Sequence, residues 1–436
     1  MRFDEPVLLY GAGREARSTR AFIKARAPDT PVYVTVDSGE ADVEDTSFIA
    51  PADLGEAIES RLFATIVKSP GVSRYRPIFA MAREAGIAVT SNLNLWGEQY
   101  RAGRKVIAIT GTKGKSTTAT LVHLMLTESG FDAGLAGNVG LAPLEIADKH
   151  PIVVFELSSY QTADMAFTPD IAAITNLSPE HTDWHRSVER YYADKLNLID
   201  RDAHFPVALG VGALGHPLVM EALRDPKRLI PPLPPFLYDR IATAASRSRL
   251  KGEHNLNNAM LAAQIALKAG ADIEGIVRGI GRFTPLPHRL EEHSVGGKTF
   301  VNDSISTTPE ATKAALAAYE GTRLALIAGG HERQQDYSEL ARLLAPRGVT
   351  VLVCLPVTGD RLATLTYAAA PEIEVIEAGT LDDALKALAG RQGKFDTVIL
   401  SPGAPSYGQL EAPGKVFRNF EERGTAFVHL AGKYFG

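Results

Sequence analysis

The residues best suited to chemistry lie in one stretch, 106–121, which reads VIAITGTKGKSTTATL. A short apolar run ends at a glycine-rich turn, and a segment with the pattern of a helix follows it. Glycines let backbone N–H groups turn toward an anion, and the start of a helix adds the positive end of its dipole. A lysine and a hydroxyl residue at this point can contact the β- and γ-phosphates and Mg²⁺. We therefore predict a nucleotide phosphate loop formed by Gly111, Thr112, Lys113, Gly114, Lys115, Ser116 and Thr117.

This loop departs from the general pattern G-x-x-x-x-G-K-[ST], because Ile109 stands where that pattern has its first glycine. The motif in this chain is the shorter G-T-K-G-K-S-T. A chance glycine turn before a helix is the alternative interpretation. The preceding apolar strand and the Lys-Ser-Thr run favour the phosphate loop.

Polar residues follow the next two predicted strands. Glu156 ends the apolar run 153–155, where a phosphate-loop domain is expected to carry a Mg²⁺-binding carboxylate. A helix cap made by Ser158 or Ser159 is the alternative role for that turn. His181 lies in an acid-rich segment after the following strand, and we favour metal binding or phosphate contact for it. Lys195, by contrast, has the pattern of an ordinary exposed lysine on a helix.

Two asparagines precede an alanine-rich helix predicted over 259–269. Asn255 and Asn258 are three residues apart, so their side-chain amides could face one ligand. Helix capping is the alternative role.

The first 93 residues have the alternation of a Rossmann-like unit. A strand ends in Gly11-Ala12-Gly13, and Asp37 follows the second strand, which is close to a dinucleotide fingerprint. A second turn, Ser69–Ser73, follows a later strand. Parallel sheets bind ligands at this strand-end face. The pattern predicts binding of a small nucleotide or its phosphates, with a purely structural turn as the alternative.

Composition limits the class of protein. At 436 residues the chain is long enough for about three domains of roughly 150 residues each. A net charge of −5 gives no basic field for nucleic acid. The one cysteine, Cys354, lies in an apolar run, which predicts a buried thiol in a reducing compartment. With no signal-peptide pattern and no long apolar segment, we expect a cytoplasmic multidomain α/β protein without membrane or nucleic-acid partners.

Seven collinear motifs make the chain resemble the Mur ligases of peptidoglycan synthesis, most closely those of the MurD type. The motifs are G-T-K-G-K-S-T, E-L-S-S-Y-Q, N-L-x-x-E-H-x-D, G-x-H-N-x-x-N, L-P-H-R, N-D-S and S-P-G. The resemblance covers essentially the whole chain and implies an α/β fold of three domains. These are a Rossmann-like UDP-sugar-binding domain (1–93), a central P-loop ATPase domain with a mostly parallel sheet (94–284) and a Rossmann-like glutamate-binding domain (285–436).

The resemblance also implies the reaction. ATP, with Mg²⁺, would activate the carboxylate of UDP-N-acetylmuramoyl-L-alanine as an acyl phosphate, and the amine of glutamate would capture it. The chain would be a monomer. Lys115, Glu156, His181 and Lys195 would be catalytic, with Ser116, Glu156, His181 and, if carbamylated, Lys195 as metal ligands.

The remaining implied contacts belong to the substrates. The UDP-sugar would meet Gly11, Gly13, Arg14, Asp37, Ser69 and Asn138. The adenine nucleotide would contact the phosphate loop, Asn258, Arg289 and Asp303. Glutamate would contact Thr307, Arg333, Ser406 and Tyr407.

Departures from the family bear on the glutamate isomer. Ile305 follows N-D-S where D-glutamate ligases have lysine, Arg333 matches a second family lysine, and the segment 410–416 looks like an insertion. We favour L-glutamate, with D-glutamate or another Mur-type ligase activity as alternatives. A nicotinamide-dependent oxidoreductase and a non-catalytic nucleotide-binding subunit are rivals from other classes.

Overall fold

The computed structural model describes residues 3–37, 41–180, 182–201, 204–250, 252–285 and 287–436. The chain forms two compact units. The first unit comprises residues 1–248 and 254–283, and the second comprises 249–253 and 284–436.

The first sheet of the first unit is parallel. Its strands are β1 (Val7–Tyr10), β2 (Val32–Thr35), β3 (Ser47–Phe48), β4 (Thr65–Lys68) and β5 (Ala88–Thr90), accompanied by helices α1 (Arg14–Arg26), α2 (Leu54–Glu59), α3 (Pro77–Glu84) and α4 (Asn92–Tyr100). The strand order is β3-β2-β1-β4-β5, so the direction of winding reverses between β1 and β4. The turns that follow these two strands are therefore neighbours at the carboxyl edge, where such sheets bind ligands.

The second sheet of this unit is also parallel. Its strands are β6 (Lys105–Thr110), β7 (Ala133–Gly137), β8 (Ile152–Glu156), β9 (Ile171–Asn176) and β10 (Val207–Gly212), in the order β10-β9-β6-β8-β7. Its helices are α5 (Lys115–Glu128), α6 (Pro143–Ile146), α7 (Ser159–Asp164), α8 (Thr182–His185), α9 (Val188–Leu196), α10 (Pro217–Leu223), α11 (Pro235–Ser246), α12 (Glu253–Ala269) and α13 (Ile273–Arg282), with a 3₁₀ turn at Pro226–Arg228. Strand β6 pairs with β8 and β9, so the loops after these three strands meet at one edge.

A shared apolar core explains why the two sheets form one unit. Leu93, Leu95 and Trp96 of α4 are fully buried, and they belong to a cluster that contains residues of both sheets. The ring of Trp96 packs edge-on against Phe155 of β8, with 4.8 Å between ring centroids. Burying apolar surface of this kind is the main favourable contribution to folding.

The second unit has a mixed sheet. Its strands are β11 (Glu291–Val295), β12 (Lys298–Asn302), β13 (Leu324–Ala328), β14 (Val349–Cys354), β15 (Glu374–Glu377) and β16 (Thr397–Leu400), in the order β11-β12-β16-β13-β14-β15. The β11–β12 pair is antiparallel and the other pairs are parallel. The unit also contains α14 (Pro309–Ala317), α15 (Ser338–Leu343), α16 (Thr358–Ala369), α17 (Leu381–Ala389), α18 (Phe420–Phe435), a 3₁₀ turn at Gln392–Lys394 and a hairpin of β17 (Leu410–Ala412) and β18 (Lys415–Val416).

The predicted α/β class with mainly parallel sheets is confirmed. Cys354 is buried, as its apolar run predicts. In the described part of the chain, no helix is both long enough and apolar enough to cross a bilayer.

Candidate active site

The predicted phosphate loop joins β6 to α5. Gly111 and Gly114 both have positive φ, at 148° and 78°. A Cβ at Gly111 would lie 1.8 Å from Thr175 Oγ1, and one at Gly114 would lie 2.4 Å from Asn258 Oδ1. Glycine is therefore required at both positions, for conformation and for space. Ile109 lies inside β6, fully buried and paired with Glu156, which places the turn after it.

Side chains from the end of β9, from the loop after it and from α9 hold this turn in place. The backbone N–H of Lys113 donates to Asn176 Oδ1 (2.8 Å), and its carbonyl accepts a bond from Thr175 Oγ1 (2.5 Å). The Lys113 ammonium pairs with Glu180 at 2.6 Å. Thr112 Oγ1 lies 2.9 Å from the Tyr191 hydroxyl on α9. These bonds orient the loop before any nucleotide arrives.

The residues at the start of α5 have the predicted position. Lys115 Nζ donates to the carbonyl of Thr112 (2.9 Å), so its charge stays over the loop. Ser116 and Thr117 are buried in the first turn of the helix. This arrangement combines a cation, a hydroxyl and a helix N-terminus, as a phosphate site needs.

Glu156 is fully buried at the end of β8. Its Oε1 accepts a bond from Asn138 Nδ2 at 3.0 Å, while its Oε2 has no hydrogen-bond partner in the described residues. A buried, unpartnered carboxylate oxygen next to a phosphate loop suits a hard divalent cation. The described residues hold no group of three or more His, Cys, Asp or Glu that could bind a metal ion by themselves. A Mg²⁺ ion held by one carboxylate, a hydroxyl and nucleotide phosphates fits this donor set.

Lys195 corrects the sequence analysis. Its side chain is buried at 1% exposure, and Nζ donates to the carbonyl of Gly111 at 2.7 Å. The interpretation as an exposed helical lysine is therefore wrong: α9 turns this residue and Tyr191, one turn earlier, toward the phosphate loop. Burial, and then the charge of Lys115, holds the pKa of Lys195 well below its usual range.

His181 lies outside the described residues, so its predicted role stays a prediction. Its neighbour His185 is described and forms a network that sequence reasoning missed. His185 is fully buried, with Nδ1 2.6 Å from Asp194 Oδ2 and Nε2 2.9 Å from Ser159 Oγ. The Tyr75 hydroxyl donates to the same Asp194 carboxylate. The sequence features that could have indicated this network are His185 in D-W-H and Ser159, the second serine of E-L-S-S.

Asn258 lies against the phosphate loop, because its Oδ1 would be only 2.4 Å from a Cβ at Gly114. Helix α12 begins at Glu253, so Asn255 and Asn258 are both inside the helix, and the capping alternative is wrong. The two amides are also bonded to each other at 3.3 Å. The segment over which we predicted the helix, 259–269, covers only its later turns.

Five of the six residues predicted to contact a UDP-sugar, all except Asn138, lie at the edge of the first sheet. Gly11 is so close to Ser69 that a Cβ on it would lie 2.6 Å from the serine hydroxyl oxygen. Gly13 precedes α1 as its N-cap residue. Asp37 accepts bonds from the Tyr10 hydroxyl (2.7 Å) and from Arg76 (2.6 Å).

Arg14 joins this edge to the second sheet. Its guanidinium donates to the carbonyls of Gly137 (2.7 Å), Gly140 (2.7 Å) and Asn138 (3.3 Å). The structure thus brings Arg14 next to Asn138, another residue of the predicted UDP-sugar set. Because Asn138 also bonds Glu156, the two predicted sites share one hydrogen-bonded connection.

Glu15 makes a second connection of this kind. It is buried, and its Oε1 accepts a bond from Gln161 Nε2 at 2.7 Å, while Oε2 has no partner in the described residues. Gln161 also forms a capping box with Ser158, the N-cap of α7, so the predicted capping alternative is correct for this serine. Burial raises the pKa of Glu15 to about 7, against the opposing effects of the Gln161 bond and the Arg14 charge.

In the second unit, Asp303 is engaged internally. Its Oδ1 accepts from the Leu290 backbone (3.2 Å) and its Oδ2 from Ser401 Oγ (2.8 Å). Burial raises the pKa of Asp303 to about 6, and the charge of Arg289 acts against this rise. Nucleotide contacts by Asp303 and Arg289 stay predictions.

The predicted glutamate residues follow strands of the second sheet. Thr307 lies after β12, Arg333 after β13, and Ser406 and Tyr407 after β16. Ser406 is buried, Thr307 is half-buried, and Arg333 and Tyr407 are exposed.

A buried arginine that sequence reasoning missed organises these loops. Arg423 is fully buried, and it donates to Ser304 Oγ (3.0 Å), to the Ser304 carbonyl (2.8 Å) and to the Ala404 carbonyl (3.2 Å). It also donates to Gln409, whose amide bonds the Gly329 carbonyl. The segment 410–416, predicted as an insertion, forms the β17–β18 hairpin directly after Gln409.

Comparisons with known proteins agree with this geometry. The family model described as the Mur ligase middle domain matches residues 109–206, and that of the Mur ligase, glutamate ligase domain matches residues 288–404. The chain is 34% identical to a UDP-N-acetylmuramoyl-L-alanine--L-glutamate ligase of Xanthomonas euvesicatoria, covering 98% of this chain and 95% of the relative. A Micromonospora protein with the same name is also 34% identical, over 97% and 95% of the two chains.

Solved structures resemble the fold at lower identity. The UDP-N-acetylmuramate-alanine ligase MurC of Thermotoga maritima has a TM-score of 0.61 at 15% identity, with 98% of each chain covered. A MurF ligase of the same organism, solved with ADP, has a TM-score of 0.55 at 13% identity, covering 98% of this chain and 94% of that one.

Proposed function

Since the chain belongs to the Mur ligase family of ATP-dependent ligases, we propose that it joins glutamate to UDP-N-acetylmuramoyl-L-alanine in peptidoglycan precursor synthesis. One observation carries the proposal. Lys195 bonds the Gly111 carbonyl of the phosphate loop, and Glu156 ends the strand beside that loop with a buried, unpartnered carboxylate oxygen. Buried groups of both charges at a phosphate loop are typical of phosphoryl transfer.

The chemistry follows from the reactants. A carboxylate is a poor acyl donor, so transfer of the γ-phosphoryl group of ATP first converts it into an acyl phosphate and releases ADP. The glutamate amine then attacks the acyl carbon, and inorganic phosphate leaves from the tetrahedral intermediate. Lys115 and the N–H groups of the loop would bind the phosphates and stabilise the charge that develops on them.

Ser116 and Glu156 would hold Mg²⁺, with His181 as a further ligand carried over from the family. Bound Mg²⁺ supplies charge neutralisation and orientation of the phosphates. The buried carboxylate oxygen of Glu156 without a partner supports this assignment.

We also propose that Lys195 is carbamylated. Carbamylation requires the neutral amine, and burial beside Lys115 lowers the pKa of Lys195, which favours that form. The modification would convert this buried amine into an anionic oxygen ligand.

Each predicted domain would bind one substrate: residues 1–93 the UDP-sugar, 94–284 ATP, and 285–436 glutamate. Adjacent turns at Gly11 and Ser69 support the first assignment, and the phosphate loop supports the second. We propose L-glutamate as the amino acid. The printed names of the relatives and the Ile305 position support this isomer. The enzyme would act as a cytoplasmic monomer.

The test is an assay of phosphate release with ATP, Mg²⁺, UDP-N-acetylmuramoyl-L-alanine and either glutamate isomer, with product masses measured in parallel. We expect a product with L-glutamate, and Lys115→Met should reduce its rate by about 10²–10³-fold. Turnover with D-glutamate alone would refute the isomer assignment. Turnover only with another acceptor or amino acid would favour a different Mur-type ligase. ATP hydrolysis at the same rate with and without the UDP-sugar and glutamate would favour the non-catalytic nucleotide-binding subunit. Binding of NAD in place of ATP would favour the oxidoreductase.

A further inference from the structure

The ring of His185 bonds two segments that carry proposed ligands. Ser159, bonded to Nε2 at 2.9 Å, begins α7 three residues after Glu156. Asp194, bonded to Nδ1 at 2.6 Å, directly precedes Lys195 on α9. One side chain therefore connects the loop after β8 to the helix that presents the lysine.

The same face of α9 is also bonded to the phosphate loop. Lys195 Nζ donates to the Gly111 carbonyl, and the Tyr191 hydroxyl is 2.9 Å from Thr112 Oγ1. With Asp194 held by His185, one face of the helix is bonded both to the phosphate loop and, through the imidazole, to the start of α7. A helix held in this way cannot rotate without breaking a buried hydrogen bond, and a buried polar group left without its partner is costly.

Aromatic rings fix the orientation of the imidazole. Tyr160 stacks on it at 5.5 Å between centroids, and Tyr191 contacts it edge-on at 5.2 Å. Tyr75 donates its hydroxyl to both oxygens of Asp194, at 2.8 and 2.9 Å. The imidazole and the carboxylate thus each have further partners that select one geometry.

Serine, histidine and aspartate in this order also form the catalytic triads of hydrolases. Burial argues against that role in this chain. Ser159 is 3% exposed and His185 is fully buried, so no acyl group can approach the serine oxygen. The network is built to hold segments in place.

We propose that His185 is a positioning residue, which holds the Glu156 and Lys195 segments in register at the phosphate loop. The inference rests on the proposed function for the identity of the metal and nucleotide site. Partners that orient groups from outside a metal site typically contribute about 10–100-fold to metal affinity or activity. We expect His185 to contribute on this scale.

The primary readout is Mn²⁺ binding in the presence of ADP, measured by electron paramagnetic resonance on the full chain. For His185→Ala we expect affinity to fall by about 10–100-fold, with a comparable fall in kcat and a KM for glutamate within about threefold of the parent. His216→Ala is the matched control, because its ring packs on Tyr192 of the same helix at 5.8 Å. We expect its Mn²⁺ affinity and kcat to stay within about threefold.

Two conservative variants separate positioning from a packing role. The amide of His185→Asn can take the place of Nδ1 and donate to Asp194, whereas that of His185→Gln reaches only toward Ser159. If His185 positions Lys195, His185→Asn should bind Mn²⁺ more tightly than His185→Gln does. If His185→Ala does not fold, Ser159→Ala and Tyr75→Phe take its place, with about 3–10-fold weakening expected.

Parental Mn²⁺ affinity in folded His185→Ala would overturn the proposal. If His185→Ala does not fold, parental Mn²⁺ affinity in both folded Ser159→Ala and folded Tyr75→Phe would overturn it. A packing role alone would lower the unfolding temperature and leave Mn²⁺ affinity unchanged in the folded protein. The result is independent of ligase turnover. A parent protein that binds Mn²⁺ with ADP but forms no amide would refute the proposed function and still permit this test.

Discussion

Replacing Glu15 by glutamine should stabilise the first unit at pH 8 much more than at pH 5. Burial raises the pKa of this carboxyl from its ordinary value of 4.5 to about 7. The folded state therefore holds the proton through a pH range in which the unfolded chain releases it. By linkage, the free energy of unfolding falls as the pH rises between these two values. Glutamine keeps the acceptor for Gln161 and carries no charge at any pH.

The size of the effect follows from the pKa values. A rise from 4.5 to about 7 corresponds to about 3.4 kcal/mol when complete, of which about 2.5 kcal/mol develops between pH 5 and pH 8. The first unit has about 280 residues, and its unfolding entropy is then about 0.6 kcal/mol/K. The variant should accordingly gain about 4 °C in unfolding temperature relative to the parent over this pH interval.

Tryptophan fluorescence suits this measurement, because the chain has two tryptophans, Trp96 and Trp184, and both lie in the first unit. Thermal unfolding would be followed at pH 5 and pH 8 for parent and variant. Glu56→Gln removes an exposed carboxylate from the first turn of α2, and it serves as the control with an expected change below about 1 kcal/mol. An equal temperature difference for Glu15→Gln at both pH values would refute the reasoning.

Three further substitutions, the first with a matched control, test other parts of the structure. Gly114→Ala should lower the free energy of unfolding by about 1–2 kcal/mol and weaken ADP binding, because φ at this residue is positive and a Cβ would clash with Asn258. Gly432→Ala is the control: its Cβ would enter open space on α18, so the free energy of unfolding should rise by about 0.5–1 kcal/mol. Calorimetry measures both changes. Lys195→Met should abolish ligase turnover. Compared with parent protein whose Lys195 is not carbamylated, it should also raise the unfolding temperature, most at low pH, because the buried amine is costly only when charged; an unfolding temperature below that of the parent would contradict this. Arg423→Met should cost at least about 3 kcal/mol by denaturant unfolding, because it leaves buried carbonyls without donors, and a loss below 1 kcal/mol would contradict that account.

Local patterns predicted the strand, the glycine turn and the helix of the proposed phosphate loop. A turn of two glycines between a β-branched strand and a hydroxyl-rich helix is determined by residues only a few positions apart, so it can be read without tertiary contacts. The buried carboxylate at the end of β8 follows from the same kind of pattern. The strand-end turns at Gly11 and Ser69 were also found in this way, since parallel strands bring their ends to one edge.

Contacts across long stretches of chain could not be predicted from residue patterns. Lys195 was interpreted as exposed because an amphipathic pattern does not say which packed segment a helix meets; the carbonyl it bonds belongs to a residue 84 positions earlier. The partners of Arg14 lie more than 120 positions away. Arg423 has an unremarkable local sequence, and its role follows only from the loops gathered around it.

The packing of Trp96 on Phe155 also limits how this chain can be rearranged. Exchanging the first 93 residues with those of a relative would pair a foreign sheet with a native α4 and leave mismatched surfaces inside one hydrophobic interior. A workable chimaera must carry α4 together with the aromatic residue it meets on β8. Recombination that keeps this pair together preserves the shared core, while a cut at residue 93 should leave a cavity or a clash between the two sheets.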